Sequence, residues 1–375
     1  MNNVGLILTA QANTTLRLTP DWFVLSDAAA YAAVSQDAHP AYPDRTKVFI
    51  DHETPCGSEI VAGQQRKLID FAVGNACELF NGYGTNYQLM LNRYVRSGQL
   101  IAHCGDFGSI YASAGACAIK LTPEQMREAL ISGTVEFTVP ESVSLCVSGE
   151  LRDGACGKDA ALAALKTLDC RGKLLNVSGS GIDNLPGTDR NAFFQLLSAS
   201  GCVCAIAGDT ASNSNFALNL DDVAPMVSRA DDFSAAAPAA DCGNISVSAV
   251  FIGGCSTGRI EDIRAAAGVA RGRHVNRKVR AILSFATSSV YIQAANEGLI
   301  ETLLDAGVLV MNQGCSACYG HSQGLADSKD VVLSAGSRPM PDCCGKGSVV
   351  TYLCSAATAM ESAIAGHICA AERRA

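Results

Sequence analysis

The sequence has 375 residues, and it contains few basic residues and no long apolar run. Lysine and arginine total 28 against 36 aspartates and glutamates, which gives a formal net charge of −8. Nucleic-acid binding depends on clustered basic side chains, and basic runs such as 271–280 are short and interrupted. The apolar run at 246–254 stops at nine residues, far below the roughly 18 to 20 of a membrane-spanning helix. We therefore expect neither a nucleic-acid partner nor a membrane segment.

A basic N-terminal region is also missing, since residues 1–9 contain no lysine or arginine. A secretory signal peptide needs such a region, and disulfide frameworks belong mostly to short secreted chains. The 17 cysteines are thus expected to be thiols, and the protein to be cytoplasmic. Most of these cysteines have apolar neighbours, where a thiol packs like a small hydrophobic residue.

The rest of the composition is typical of a compact enzyme, with 48% hydrophobic and 17% charged residues. Short β-rich runs alternate with alanine-rich helical patterns, which predicts α/β layers. The predicted strands are 47–50, 100–102, 144–148, 174–177, 246–252, 280–284 and 331–334. The predicted helices are 123–131, 158–168, 191–200, 260–270, 289–295 and 356–368.

Two of these helices begin with recognisable start signals. Thr122 is the expected N-cap of the helix at 123–131, with Pro123 at its first position and Gln125 three residues after the cap. Asp159 lies in the first turn of the next predicted helix, where an acidic side chain is favourable.

Two shifts in composition divide the chain. Residues 231–244 are small and polar and include a proline, which predicts a linker or long surface loop. A second shift lies near 140–144. The predicted domains are therefore 1–142, 143–243 and 244–375.

Three cysteines differ from the others in their sequence context. Cys255 follows a strongly apolar run and precedes a predicted helix, so it occupies a glycine-rich turn between a strand and a helix. Cys315 and Cys318 form a C-x-x-C just after another apolar stretch. Because loops at the carboxyl ends of strands form the ligand crevice of an α/β sheet, these three thiols could converge there.

The spacing of these cysteines leaves several interpretations open. A structural zinc site usually has four ligands, and a redox dithiol would leave Cys255 without a role. Three thiolates beside an open position suit an iron-sulfur cluster in which one iron acts as a Lewis acid. Buried structural thiols are the simplest alternative.

Longer motifs around these cysteines resemble the aconitase and 3-isopropylmalate dehydratase family. VFIGGCSTGRIEDIRAAA is similar to the strand, loop and helix that hold the first cluster cysteine in that family, and GCSACYG is similar to its second cluster motif. LSAGSRPMP, SAATAMESAIAGHI, VFIDHETP and GKDAALAAL resemble further family segments. The resemblance covers nearly the whole chain.

This resemblance implies three α/β domains around one [4Fe-4S] cluster held by Cys255, Cys315 and Cys318. The implied activity is a hydro-lyase reaction that dehydrates or hydrates a small hydroxy acid. By this resemblance we expect no counterpart of the family's mobile fourth domain, which carries the base. The resemblance therefore implies a separate small subunit as partner, as in the isopropylmalate dehydratases.

Several catalytic positions of the family carry different residues in this chain. Tyr87 replaces an active-site histidine, although Gln88 follows it as in the family. The family's Asp-Ser-His-Thr motif falls on 105–108, where Asp106 is the nearest acid. The catalytic glutamate position holds Asn176, and a substrate-binding arginine position holds Cys343.

Other family features are retained. Asp51 and His52 end a predicted strand, where a histidine backed by a carboxylate can donate a proton to a leaving hydroxyl. Arg338, next to Ser337, can bind a carboxylate through two hydrogen bonds. The candidate catalytic residues are Asp51, His52, Tyr87 and Asp106; the candidate substrate-binding residues are Gln88, Asn176, Ser337 and Arg338.

The altered positions predict an unusual substrate, and they leave two alternatives to an enzyme of the expected type. One is a non-catalytic homologue that uses its cluster structurally or as a sensor of iron or oxygen. The other is a site for zinc or iron without a cluster.

Overall fold

The computed structural model describes residues 2–27, 30–34, 38–208, 215–320, 322–337, 344–345 and 349–371. Arg338 and Cys343 lie outside the described residues. The predicted α/β class is confirmed, because within the described ranges the chain forms three largely parallel sheets and one short antiparallel pair.

A five-stranded parallel sheet with the order β4-β3-β2-β5-β6 organises the first part of the chain. Strands β1 and β7 form the antiparallel pair. The strands are β1 (Thr15–Leu18), β2 (Trp22–Ser26), β3 (Thr46–Ile50), β4 (Glu78–Asn81), β5 (Leu100–His103), β6 (Cys117–Lys120) and β7 (Val135–Thr138). The helices are α1 (Asn3–Thr9), α2 (Glu59–Gly74), α3 (Asn86–Arg93) and α4 (Pro123–Ser132).

A four-stranded parallel sheet with the order β10-β9-β8-β11 follows. Its strands are β8 (Ser142–Ser148), β9 (Leu174–Ser178), β10 (Cys204–Ala207) and β11 (Phe216–Asn219). Its helices are α5 (Gly157–Leu165), α6 (Ser180–Asn184) and α7 (Gly187–Leu197). Strand β10 lies next to β6, and Cys204 and Cys117 share one apolar core there.

The last sheet has seven strands in the order β13-β12-β18-β17-β14-β15-β16, with β12 antiparallel to both of its neighbours. The strands are β12 (Met226–Arg229), β13 (Ala237–Pro238), β14 (Ala249–Ile252), β15 (Arg280–Leu283), β16 (Leu309–Val310), β17 (Val331–Ser334) and β18 (Val350–Leu353). The helices are α8 (Gly254–Thr257), α9 (Ile260–Ala270), α10 (Ser288–Asn296), α11 (Leu299–Asp305) and α12 (Ala356–Ala365).

The start of α4 forms as the sequence predicts. The backbone N–H of Gln125 donates to the Thr122 hydroxyl at 3.2 Å, and the Thr122 N–H donates to the Gln125 side chain at 2.9 Å. These two bonds satisfy backbone donors that the first helical turn leaves without partners. Asp159 lies in the first turn of α5, as expected, and accepts from the backbone N–H of Cys156.

The segment predicted as a linker joins the last sheet in part. It contains β13 and short 3₁₀ turns at Phe233–Ala235 and Ala239–Cys242. The domain boundaries stay a prediction, and the boundary after residue 243 falls beyond β12 and β13, which belong to the seven-stranded sheet. Among the described residues, no helix combines the length and apolar character needed to cross a membrane.

Candidate active site

The loops at the carboxyl ends of strands from the first and last sheets meet around one cavity of about 290 Å³. Parallel strands present their carboxyl ends at the same edge, which is where α/β sheets bind ligands. The lining residues are Ser26, His52, Asn86, Tyr87, Cys104, Gly105, Asp106, Phe107, Lys120, Cys255, Cys315, Cys318 and Tyr319. All three candidate cluster cysteines thus line the cavity together with three of the four candidate catalytic residues.

His52 is held against two carboxylates at the ends of β2 and β3. Its Nδ1 lies 2.8 Å from Asp51 Oδ1 and 3.0 Å from Asp27 Oδ1. The Ser26 hydroxyl, which lies 3.1 Å from the same nitrogen, donates to Asp51 at 2.8 Å. Because carboxylates only accept, they favour the tautomer with hydrogen on Nδ1. Nε2 is then the ring nitrogen that can exchange a proton with a ligand.

The second oxygen of Asp51 is also fully engaged. Asp51 Oδ2 accepts from the backbone N–H of Asn86 at 2.6 Å and from its side-chain amide at 2.9 Å. Burial alone would raise the pKa of Asp51, but His52 and the bonds from Asn86 outweigh it and lower the pKa to about 2. Asp51 is therefore a carboxylate at neutral pH.

The pKa of His52 reflects the same balance. Burial disfavours the imidazolium, whereas the neighbouring Cys315 sulfur, the Asp51 carboxylate and the hydrogen bond with Asp27 favour it. The result is a pKa well above 6.5. A protonated His52 beside a cavity is chemically suited to act as a general acid.

The Cys318 side chain packs closely against the backbone of Gly254 and Gly336. A Cβ on Gly254 would lie 3.6 Å from Cys318 Sγ, and a Cβ on Gly336 would lie 3.2 Å from the same sulfur. Gly254 also has a φ of +72°, which side chains rarely adopt. The two glycines therefore leave the Cys318 thiol room that larger residues would take away.

The donor set fits a thiolate-bound metal group. Burial raises the pKa of Cys255 well above 9, and it raises the pKa of Cys315 to about 11 despite the opposing effect of His52. These thiols are protonated when no metal is bound, and metal binding displaces such protons. Three soft sulfur donors on a shared cavity suit iron-sulfur ligation better than a hard cation.

Tyr87 and Asp106, the other candidate catalytic residues, have very different surroundings. Burial raises the pKa of Tyr87 well above 10, and its hydroxyl accepts from the backbone N–H of Phe107 at 3.0 Å. Asp106 is exposed and forms a 2.7 Å ion pair with Lys120. Tyr87 can thus donate a hydrogen bond into the cavity, while Asp106 and Lys120 are at its solvent side.

The predicted substrate-binding residues are not gathered at the cavity to the same extent. Gln88 is buried and donates a 2.9 Å hydrogen bond to the carbonyl oxygen of Cys255, so it positions a cysteine loop. Asn176 lies on β9 and does not line the cavity. Ser337 is buried, and its hydroxyl has no hydrogen-bond partner among the described residues. Arg338 lies outside the described residues.

Several site residues were not predicted from the sequence, among them Ser26, Asp27, Asn86 and Lys120. Ser26 ends β2 and Asp27 follows it. Recognising that strand would have placed both residues beside Asp51, because β2 and β3 are neighbours in the sheet. Asn86 begins α3, and Lys120 ends β6. A search for polar residues at strand ends is the signal that could have found three of them.

A buried lysine joins the second sheet to the cysteine loops. Lys158 is 1% exposed, and its ammonium group donates to the carbonyl oxygens of Ala335 and Gly336. The Ala335 carbonyl also accepts from Thr257, two residues after Cys255, at 2.7 Å. Burial lowers the pKa of Lys158. The loop after β17 is therefore held both by Lys158 of α5 and by Thr257 of the Cys255 loop.

These features define a class of protein: a three-sheet α/β protein with a thiol-lined cavity beside a buried histidine–carboxylate network. Residues 202–366 match the model of the aconitase family (aconitate hydratase). The chain is therefore similar to the aconitase and 3-isopropylmalate dehydratase family, as the resemblance predicted.

Two relatives show how low the sequence identity is over most of the chain. The chain is 28% identical over 355 residues to 3-isopropylmalate dehydratase large subunit 2 of Archaeoglobus fulgidus, covering 87% of this chain and 85% of that one. It is 28% identical over 357 residues to the homoaconitase large subunit of Thermus thermophilus, covering 88% and 85%. The crystal structure of aconitase X from Thermococcus kodakaraensis, in its holo-form, has the same fold, with a TM-score of 0.53, 12% identity and coverage of 90% and 87%.

Proposed function

We propose that this chain is the cluster-bearing large subunit of a dehydratase that acts on a small hydroxy acid. The observation that carries the proposal is the shared cavity, which brings the three cysteines and the His52 network together. The relatives are large subunits of dehydratases and of a homoaconitase, which supports the same reaction class.

Cys255, Cys315 and Cys318 would hold a [4Fe-4S] cluster. When bound, the cluster supplies an iron without a protein ligand, which is a Lewis acid for the substrate hydroxyl and carboxylate. Asp51 is poorly placed to be a ligand of a single metal ion, although its oxygen, a His52 nitrogen and the Cys315 sulfur lie within 4.8 Å of one another. Both Asp51 oxygens already accept hydrogen bonds. This favours the cluster over a lone zinc or iron ion.

In the proposed dehydration, His52 protonates the departing hydroxyl through Nε2. Asp27 and Asp51 keep Nδ1 protonated and stabilise the imidazolium before transfer. The C–O bond breaks as a base removes the proton from the adjacent carbon, and the electron pair of that C–H bond forms the new double bond. The products are an unsaturated acid and water.

Substrate binding is assigned to the polar groups at the cavity mouth and wall. Lys120 can contact a carboxylate, because its ammonium group is at the solvent side of the cavity beside Asp106. Tyr87 donates from the buried wall. Ser337 and Arg338 stay the predicted contacts for a second carboxylate group.

The base is assigned to a separate small subunit. The relatives are named large subunits, which implies such a partner. Asp106 is the nearest acid of this chain, but its ion pair with Lys120 favours a substrate-binding role.

The test starts from protein purified without oxygen, together with its small subunit, and reconstituted with iron and sulfide. Wild-type protein should bind about four irons with matching sulfide and should dehydrate at least one member of a panel of small hydroxy acids. Cys315→Ser should lose most of the visible absorbance, whereas Cys146→Ser, at a half-buried position of β8, should retain it.

The outcomes separate the alternatives. An intact cluster spectrum in Cys315→Ser would exclude Cys315 as a ligand. Stoichiometric zinc without sulfide would exclude the cluster. A full cluster with no turnover on any hydroxy acid would favour the non-catalytic homologue.

A further inference from the structure

A second group of thiols lies near the junction of the first two sheets, away from the three candidate cluster ligands. Cys170 lies in the turn before β9, and Cys202 lies just before β10. The backbone N–H of Gly172 donates to the carbonyl oxygen of Gly201 at 3.0 Å, so the two loops run side by side. A Cβ on Gly201 would lie 3.4 Å from Arg171 Cα, which shows how closely the loops pack.

The two thiols belong to one apolar cluster and interact with each other. The Cys170 thiol donates to Ser200 Oγ at 2.9 Å, and the Ser200 hydroxyl donates to the carbonyl oxygen of Leu197 at 2.6 Å. Cys202 Sγ lies 3.8 Å from the same carbonyl oxygen and 3.5 Å from Ser109 Oγ. Because a disulfide forms most easily between cysteines that are already neighbours, these contacts favour a bond between Cys170 and Cys202.

Their environments make one thiol reactive and the other a resolving partner. Cys202 is half-buried and lines a cavity of about 460 Å³ that shares Asp106 and Lys120 with the candidate active site. The interaction with Cys170 is the main cause that lowers the pKa of Cys202 to about 7, and burial opposes it. The same interaction, together with burial, raises the pKa of Cys170. Thiolate character and access to solvent determine which cysteine attacks first.

We propose that Cys170 and Cys202 are a redox-active dithiol that is oxidised to an intramolecular disulfide by low-molecular-weight disulfides. The Cys202 thiolate attacks one sulfur of the small disulfide, the small S–S bond breaks, and one small thiolate leaves. Cys170 then loses its proton and attacks Cys202 Sγ, which expels the second small thiolate. Two protein thiols are oxidised by two electrons, and the small disulfide is reduced to two thiols that take up the two protons.

The chain contains a matched control for this proposal. Cys117 on β6 and Cys204 on β10 are also neighbours in one apolar core, and their interaction raises the pKa of Cys204, but they are 0% and 2% exposed. If two neighbouring thiols were sufficient, both pairs would be oxidised. The proposed mechanism also needs an accessible attacking thiolate, so only Cys170 and Cys202 should form a disulfide.

The experiment uses anaerobically purified, cluster-loaded protein incubated with oxidised and reduced glutathione at a series of ratios. Remaining thiols are alkylated in acid-quenched samples, and peptides are mapped by mass spectrometry. A Cys170–Cys202 linked peptide should accumulate while Cys117 and Cys204 remain alkylated. Cys202→Ser should abolish the link, and Cys146→Ser should leave it unchanged.

Two results would overturn the proposal. One is alkylation of both Cys170 and Cys202 at ratios that already glutathionylate the exposed Cys56. The other is a glutathione adduct on Cys202 that persists while Cys170 remains a thiol. Wild-type mapping gives either result directly, so the test does not depend on the folding of a variant.

Discussion

The backbone N–H of Cys315 donates a 3.0 Å hydrogen bond to the carbonyl oxygen of Asp51. Gly314, with a φ of +126°, permits this approach, since a Cβ there would lie 2.9 Å from the same oxygen. The main chain of a candidate cluster ligand is thus tied to the main chain of the carboxylate that holds His52. A movement of the cysteine loop will therefore also shift the carboxylate that holds His52.

Replacement of His52 should separate proton transfer from cluster binding. His52→Gln is expected to lower kcat by about 10²- to 10⁴-fold, the usual contribution of a positioned acid, with an unchanged cluster spectrum. Asp27→Asn should have a smaller effect, because Asp51 still accepts from Nδ1. The control is His274→Gln, at an exposed histidine. If both variants turn over substrate equally fast, His52 is not the general acid.

The glycine beside Cys318 should be intolerant of any side chain. Gly254→Ala forces a side chain into a left-handed conformation, which costs about 1–2 kcal/mol, and places a Cβ 3.3 Å from Cys318 Cβ. We expect lower iron content after reconstitution and a lower free energy of unfolding in urea. Gly268→Ala is the control, since nothing lies within 4 Å of its Cβ position in α9, and it should stabilise the protein by about 0.5–1 kcal/mol. Equal iron content in the two variants would contradict the steric argument.

His103 should make the protein less stable in mild acid. Burial, assisted by Lys120, lowers its pKa to about 4 from the ordinary 6.5. Between these values the unfolded chain binds a proton that the folded chain does not, so stability falls as the pH falls. The loss attributable to His103 should approach about 3 kcal/mol near its folded pKa. Urea unfolding from neutral pH to about pH 4 should show a flatter profile for His103→Gln; a profile parallel to that of wild type would contradict the assignment.

Removal of the Lys158 ammonium should loosen the loop after β17. In Lys158→Met, the Ala335 carbonyl keeps its bond from Thr257, but the Gly336 carbonyl loses the donor Lys158. An unsatisfied buried carbonyl costs about 1–3 kcal/mol. We expect faster amide hydrogen exchange in residues 331–337, measured by mass spectrometry, and no such change in the exposed control Lys166→Met. Unchanged exchange in both variants would show that Lys158 does not anchor this loop.

Local patterns predicted much of the fold. Helix α9 has the predicted bounds 260–270, because its buried residues recur at helical spacing around an alanine-rich centre. Strand β2 and helix α2 were not predicted. The WFVLS of β2 is almost wholly buried and so lacks the alternation of a half-buried strand. Helix α2 contains Gly63 and buries Gln65, which obscures its apolar face.

The candidate site also contains residues that local motifs predict and residues that only the tertiary structure brings together. The cysteines and His52 were predictable because motifs mark them locally. Asp27 and Asn86 were not, because their contacts with the His52 network depend on which strands and loops become neighbours in space. The side chain of Gln88, whose role in substrate binding stays a prediction, donates to the Cys255 backbone, a contact that only tertiary packing determines.

Because loops from two sheets line the cavity, the cavity forms only after both parts of the chain have been synthesised. His52, Asp51 and Tyr87 belong to the first sheet, while all three cysteines follow residue 250 in the chain. During synthesis the N-terminal parts emerge and fold first. Because the third thiol is Cys318, the ribosome must complete most of the chain before a three-cysteine site exists. If the protein binds the proposed cluster, iron delivery would therefore be a late event, made after the first sheet and its His52 network have folded.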